Sequence, residues 1–294
     1  MWNQKLCLGT SERFGLSRFE QVRLFKEVGF EAFFAEWRHG EDVSEFVRLS
    51  KELDIEFQSI HAPFGGCADL WGEGTLEEAK EALDELIECV HVCADAQVPI
   101  MVSHAYIGFE NHNPTDTGLE NYGKLIREAE KCGIKIAFEN TEGEEYLAAI
   151  MSTFKDSPCV GFCWDTGHEM CYNYSKDMLA LYGDKLICTH LNDNLGIKDY
   201  NGKITYIDDL HLLPFDGIAD WDNIAQRLNR CGFSDTLTFE LSTVSKPGRH
   251  ENDVYGKMDF KDYLSLCYER ACKVAAKRLK TEEKHGIIQT AFSV

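Results

Sequence analysis

Residues 131–141 read Lys131-Cys132-Gly133-Ile134-Lys135-Ile136-Ala137-Phe138-Glu139-Asn140-Thr141. Gly133 is a helix stop, because a residue without Cβ accepts the left-handed backbone of a C-cap. The apolar run that follows, predicted as a strand over Ile134–Glu139, has the length and composition of a buried parallel strand. It ends on a carboxylate followed by two polar residues. Glu27-Val28-Gly29-Phe30 and Arg230-Cys231-Gly232-Phe233 repeat the helix-stop grammar.

Working outward, the same rhythm fills the chain. Strands are predicted at Lys5–Leu8, Phe30–Ala35, Ile55–Ile60, Ile100–His104, Ile134–Glu139, Val160–Asp165, Leu186–Leu191 and Thr236–Glu240. Helices are predicted near Arg18–Glu27, Val43–Leu53, Leu76–Ala96, Leu119–Lys131, Glu144–Phe154, Lys176–Tyr182, Trp221–Arg230 and Phe260–Arg278. In the third, Leu76, Ala79, Leu83, Leu86, Val90 and Cys93 share one stripe among Glu and Lys. Eight such βα units with no low-complexity linker predict a single (β/α)₈ TIM barrel over residues 1–294, since closure removes exposed sheet edges. The open Rossmann sheet lacks its mark, a GxGxxG after the first strand. Two long segments, Ala105–Gly118 and Asn192–Asp220, are then loops at the barrel mouth.

Composition agrees and narrows the function. A chain of 294 residues with 44% apolar residues and 18 Phe has enough material for one large core. Its formal charge of −20, from 50 acidic and 30 basic residues, disfavours a broad nucleic-acid footprint or an anionic membrane surface. The richest basic run, Lys273–Lys284, falls at the last helix, where positive charge suits the helix dipole. The twelve cysteines include no CxxC pair, and neither a signal-peptide pattern nor a membrane-length apolar run is found, so a cytoplasmic protein with free thiols is expected. Cys163 is expected to pack, although it lies near the polar strand ends.

Those strand ends carry the chemistry. His61 follows the third strand in His61-Ala62-Pro63-Phe64, and His104, Glu139, Asp165, His190 and Glu240 end the five after it. In a parallel barrel all these ends meet at one rim. Carboxylates and imidazoles gathered there repel or lose hydration, and a divalent ion supplies the missing charge. Mixed oxygen and nitrogen donors suit Mn²⁺, Co²⁺, Zn²⁺ or Mg²⁺, and the absence of thiolates argues against a closed structural zinc site. Taken singly, each residue has an ordinary reading: a strand-end histidine bonded to backbone, or a carboxylate capping the next helix. Asp165-Thr166-Gly167-His168 also reads as a turn with a capping aspartate. Six in succession favour the ligand reading. In Asp208-Asp209-Leu210-His211, the residues Asp209 and His211 either belong to a solvated loop or join His168 around another ion or a substrate oxygen.

These segments resemble the xylose-isomerase-like TIM-barrel superfamily over nearly the whole chain, from His61-Ala62-Pro63 to Phe239-Glu240. The resemblance implies a sugar or sugar-phosphate isomerase or epimerase. There one divalent ion is held by residues matching Glu139, Asp165, His190 and Glu240, the two glutamates act as acid and base, and His168 touches substrate. It equally covers endonuclease IV-type apurinic endonucleases, whose three-zinc site adds positions matching His61, His104, His168, Asp209 and His211. The loop Leu212-Leu213-Pro214-Phe215-Asp216-Gly217 leading to Asp220-Trp221 resembles the isomerase form, with Phe215 and Asp216 departing from its glycine-rich pattern. With the charge, this favours a small-molecule sugar substrate over DNA; a non-catalytic sugar-binding barrel is a third reading. Trp37, Phe64 and Trp164 are candidates for apolar walls or for ordinary barrel packing, and Arg38, Lys198 and Arg249 are candidates for phosphate contacts. A homodimer is the default expectation.

Overall fold

The computed structural model describes residues 4–109, 113–197 and 204–291, with the backbone alone from 280 onward. All eight expected strands form: β1 Leu6–Gly9, β2 Ala32–Glu36, β3 Glu56–His61, β4 Ile100–His104, β5 Lys135–Glu139, β6 Val160–Asp165, β7 Leu186–His190 and β8 Leu237–Phe239. They are parallel in the order β7-β6-β5-β4-β3-β2-β1-β8. Leu191 bridges to Phe239 beyond the end of β7, and its N–H donates to Thr238 O at 2.8 Å, so the sheet nearly closes on itself as a barrel.

The principal helices are α1 Arg18–Val28, α2 Ser44–Leu53, α4 Leu76–Ala96, α5 Asp116–Cys132, α6 Glu144–Thr153, α8 Met178–Tyr182, α9 Trp221–Arg230 and α10 Phe260–Ala291. Two short ones, α3 Cys67–Leu70 and α7 Thr166–Met170, were not foreseen, because one helical turn carries no readable period. Helix α5 begins earlier than expected: Thr115 caps it by accepting from Gly118 N, ahead of the first apolar stripe residue at Leu119. Helix α10 runs past Arg278, taking in the whole of the basic run. Gly133 caps α5 with φ 70°, as its sequence position indicated. Strand β8 stops at Phe239, leaving Glu240 one residue beyond the ladder.

The core lies between the barrel wall and the helix ring, where Phe33, Phe46, Phe57, Leu86, Tyr122, Phe138, Ile150 and Leu228 are buried. Inside the barrel a smaller layer of Val102, Ala137, Cys163 and Cys188 fills the space beneath the mouth. Cys163 is therefore a packing residue, and all twelve cysteines are free. Among the described residues, no helix is long and apolar enough to cross a membrane.

Candidate metal centre

Five consecutive strands deliver their last side chains to the same rim. His61, His104, Glu139, Asp165 and His190 are the final residues of β3 to β7 and are buried, while Glu240 just after β8 is half-buried. One donor atom from each of Glu139, Asp165, His190 and Glu240 lies within 4.8 Å of the others. A second group, His61, His104 and Glu139, shares Glu139 with the first, and a third is formed by His168, Asp209 and His211. All nine candidate residues thus converge, although they run from His61 to Glu240 in the sequence.

Glu139 is the hub. Its Oε1 lies 2.7 Å from His190 Nδ1, and its Oε2 lies 3.1 Å from His104 Nε2 and 3.4 Å from His61 Nε2. Burial works against its charge, but His190 and the hydrogen bonds from His104 and His61 outweigh it and hold the carboxyl well below its ordinary value. His190 Nδ1 also approaches Glu240 Oε2 at 3.2 Å. Burial would neutralise His190, and Glu139 and Glu240 override that, keeping its imidazole charged well above the usual range. Asp165 shows what the group lacks. Burial, with the Glu139 and Glu240 carboxylates beside it, pushes Asp165 up to about 6 despite His168 and His211.

In the outer group, His211 Nε2 is 2.9 Å and Lys246 Nζ 3.3 Å from Asp209 Oδ2, while His168 Nε2 is 3.6 Å from Oδ1. Asp165 does two things at once. Its Oδ1 caps α7 by accepting from His168 N at 2.6 Å, so the capping turn read from the sequence also places His168. Its Oδ2 accepts from Asn192 Nδ2 at 2.8 Å, and the Asn140 side chain holds its backbone, Oδ1 accepting from Asp165 N at 2.8 Å and Nδ2 donating to Asp165 O at 2.9 Å.

The donor set fits a divalent ion. Like-charged carboxylates about 4 Å apart repel by about 4 kcal/mol at an effective dielectric of 20, so three of them need nearby positive charge. His104 Nδ1, His168 Nδ1, His190 Nε2 and Asp209 Oδ1 are buried without a hydrogen-bond partner, although such atoms are ordinarily paired. Ligands about 2.1 Å from one ion lie within about 4.2 Å of each other, so a small contraction brings the four-residue group to coordinating distance.

The centre opens into a cavity of about 390 Å³, lined among others by Arg13, Phe34, Phe64, Phe109, Tyr172 and Lys246. Of the three aromatic wall candidates only Phe64 lines it, stacked on His104 at 4.6 Å. Trp37 and Trp164 are core residues: their indole N–H groups donate to Glu41 O and to Glu169 Oε2, both at 2.9 Å. Arg38 points away to an exposed pair with Glu12, and Arg249 holds Asp208 and Glu251. Lys198 lies outside the described residues. The cations that line the cavity, Arg13 and Lys246, were missed because nothing in their sequence context marks them. Asn140, Asn192 and Asp193 directly follow ligand candidates or their neighbours, and that adjacency was a usable signal. The Asp193 carboxylate accepts from Phe215 N, Ala219 N and Trp221 Nε1 at 2.8–2.9 Å, folding the long loop after β7 onto the rim.

The fold and the site together define a parallel barrel with a carboxylate–imidazole centre at its C-terminal rim. The chain belongs to the xylose isomerase-like TIM barrel family, whose model matches residues 22–266. Among solved structures, it is similar to the IolI protein crystallised with a zinc atom (18% identity, TM-score 0.73, covering 94% of this chain and 99% of that one). It is also similar to an L-ribulose 3-epimerase (13%, TM-score 0.70, covering 97% and 98%). A D-psicose 3-epimerase with D-tagatose from Clostridium cellulolyticum H10 shows 14% identity and a TM-score of 0.65, covering 95% and 99%. At these identities the likeness is one of fold. An uncharacterised protein, y4fM of Sinorhizobium fredii (strain NBRC 101917 / NGR234), is 36% identical over 113 residues, 36% of this chain and 33% of that protein's length.

Proposed function

We propose that this barrel is a divalent-metal-dependent isomerase or epimerase acting on a small ketose, keto-sugar or sugar phosphate. The observation that carries the reading is that Glu139 and Glu240 belong to one four-donor group and both line a cavity of small-molecule size. An ion held by Glu139, Asp165, His190 and Glu240 would supply Lewis-acid polarisation of a carbonyl and its adjacent hydroxyl. The chain's own residues do the rest. One glutamate takes the proton from the carbon beside the carbonyl, leaving an enediolate, and the other returns a proton from the opposite side or to the neighbouring carbon. Glu139 is pinned by three imidazoles, whereas Glu240 is half-buried and meets the cavity more freely. His168, held by the α7 cap, would hydrogen-bond a reacting oxygen. Phe64 and Phe109 line the cavity and would offer the substrate an apolar wall.

The relatives named as 3-epimerases support this substrate class at the level of fold. The test is conversion of a panel of ketoses, keto-acids and their phosphates by metal-loaded protein, with products separated by chromatography. At least one substrate should be interconverted with an epimer or aldose, and Glu240→Gln should lower the rate by 10²-fold or more, the order of a positioned acid or base. Conversion unaffected by Glu240→Gln would remove the proposed chemistry.

One observation favours a second reading, a phosphodiester-cleaving centre: the three donor groups together could hold more than one ion. A formal charge of −20 stands against a duplex substrate, because binding to DNA depends on cations that neutralise phosphates.

A further inference from the structure

The two ends of the centre differ in one respect. Around Glu139, Asp165 and Glu240, every ion pair among the described residues is to a histidine. At the outer group a lysine is already present. Lys246 Nζ lies 3.3 Å from Asp209 Oδ2, the same oxygen that meets His211 Nε2 at 2.9 Å, and the lysine side chain is only 15% exposed.

Lys246 is delivered there by a built loop. Its backbone N–H donates to Glu251 Oε1 at 2.9 Å, Ser245 Oγ donates to Asp253 Oδ1 at 2.7 Å, and Asn252 N donates back to Ser245 Oγ at 3.0 Å. The loop is tied to the segment carrying Asp209: Asn252 Nδ2 donates to Leu210 O at 3.4 Å, and Arg249 reaches Ile207 O at 3.3 Å and Asp208 at 3.7 Å. These contacts on both sides of Asp209 hold the ammonium in register with it.

We propose that Lys246 supplies the positive charge of the outer group, so that His168, Asp209 and His211 form a hydrogen-bonding wall for a substrate oxygen and are closed to a divalent ion. A cation entering among the three would stand a few ångströms from a fixed ammonium and would have to displace it from Asp209. An ammonium has three N–H donors, and among the described residues its one hydrogen bond is to Asp209. The others remain for an anionic oxygen in the cavity, which Lys246 lines together with Arg13. This inference rests on the four-residue ion site of the proposed function and is independent of the substrate assigned there. If it holds, the phosphodiester reading loses one of its ions.

The test is zinc anomalous scattering from crystals of the full chain grown with zinc, wild type beside Lys246→Met, with zinc per chain counted by elemental analysis. The wild type should show a peak among Glu139, Asp165, His190 and Glu240 and none among His168, Asp209 and His211. Lys246→Met should add a peak at the outer group and one zinc per chain, and Lys246→Met/His211→Ala should lose that zinc again. A wild-type peak at the outer group, or a Lys246→Met protein without one, overturns the proposal. Should Lys246→Met not fold, the wild-type crystals and Lys246→Arg, expected to match them, decide the matter. A sound outer-group result with no sugar conversion would count against the proposed reaction and leave this inference standing.

Discussion

Asp165 shows how much of this site is set one residue at a time. Its side chain is completely buried, caps α7 toward His168 and leans on Asn192, so its position is fixed before any ion arrives. Loss of a hydrogen bond that orients a ligand commonly lowers metal affinity about 10–100-fold. Asn192→Ala should therefore weaken zinc binding by that order in a competition titration with a chelator, while Glu139→Gln and His190→Ala lower metal content further. Unchanged content in both of the latter would refute the ligand assignment. The charges give a second prediction. In the ion-free chain His190 is kept protonated by Glu139 and Glu240 against its burial, with its pKa raised. Because a bound ion needs the neutral imidazole, metal and proton compete, and affinity should fall as pH falls. Titration calorimetry in buffers of different ionisation enthalpy should show proton release near neutral pH. Uptake, or no net transfer, would contradict the charge assignment.

At the scale of the element, the loops and short helices at the rim decide the geometry. Arg227 of α9 makes a bidentate pair with Glu169 of α7 at 2.6 and 2.7 Å, stacks over Trp164, and is largely buried. Removing one member of a buried pair strands the other charge, so Arg227→Met should destabilise the fold by about 3–5 kcal/mol in denaturant titration. A loss below 1 kcal/mol would show that the pair is dispensable. Gly167 has a different constraint: a Cβ there would lie 2.0 Å from Asn192 Oδ1, so α7 and the β7 end are packed through a position where only glycine fits. These particulars also explain what the sequence could and could not disclose. The strands were legible because each is a run of apolar residues between a helix stop and a polar end, and seven of the nine candidate residues because each sits at or near such an end; Asp209 and His211, in the long loop after β7, stood out only by their alternate spacing. Helix α7 is a single turn, and its capping aspartate serves equally as a ligand candidate, so one motif carried two meanings. Trp37 and Trp164 looked like cavity walls because neighbours of strand ends face either way. Lys246 and Arg13 lie in loops whose path depends on tertiary contacts, such as Asn252 with Leu210, that no local pattern encodes.

At the scale of the whole molecule, the barrel turns residues scattered over most of the chain into one acidic centre beneath a small cavity, while the surface carries the excess negative charge. That combination suits a small, oxygen-rich substrate that enters one mouth and is held against two carboxylates. It suits a polyanionic duplex poorly, and a duplex with one abasic site should remain whole at modest salt, where electrostatic attraction is strongest.

Proton transfer between Glu139, Glu240 and a carbon beside a sugar carbonyl is tested most directly by hydrogen exchange. Metal-loaded protein incubated in D₂O with the ketose, keto-acid and phosphate panel should introduce deuterium at that carbon of at least one substrate, seen by NMR. Glu240→Gln should slow the incorporation by 10²-fold or more in protein whose metal content is counted beside the wild type. Turnover of the abasic duplex, with no deuterium entering any sugar, would contradict the account.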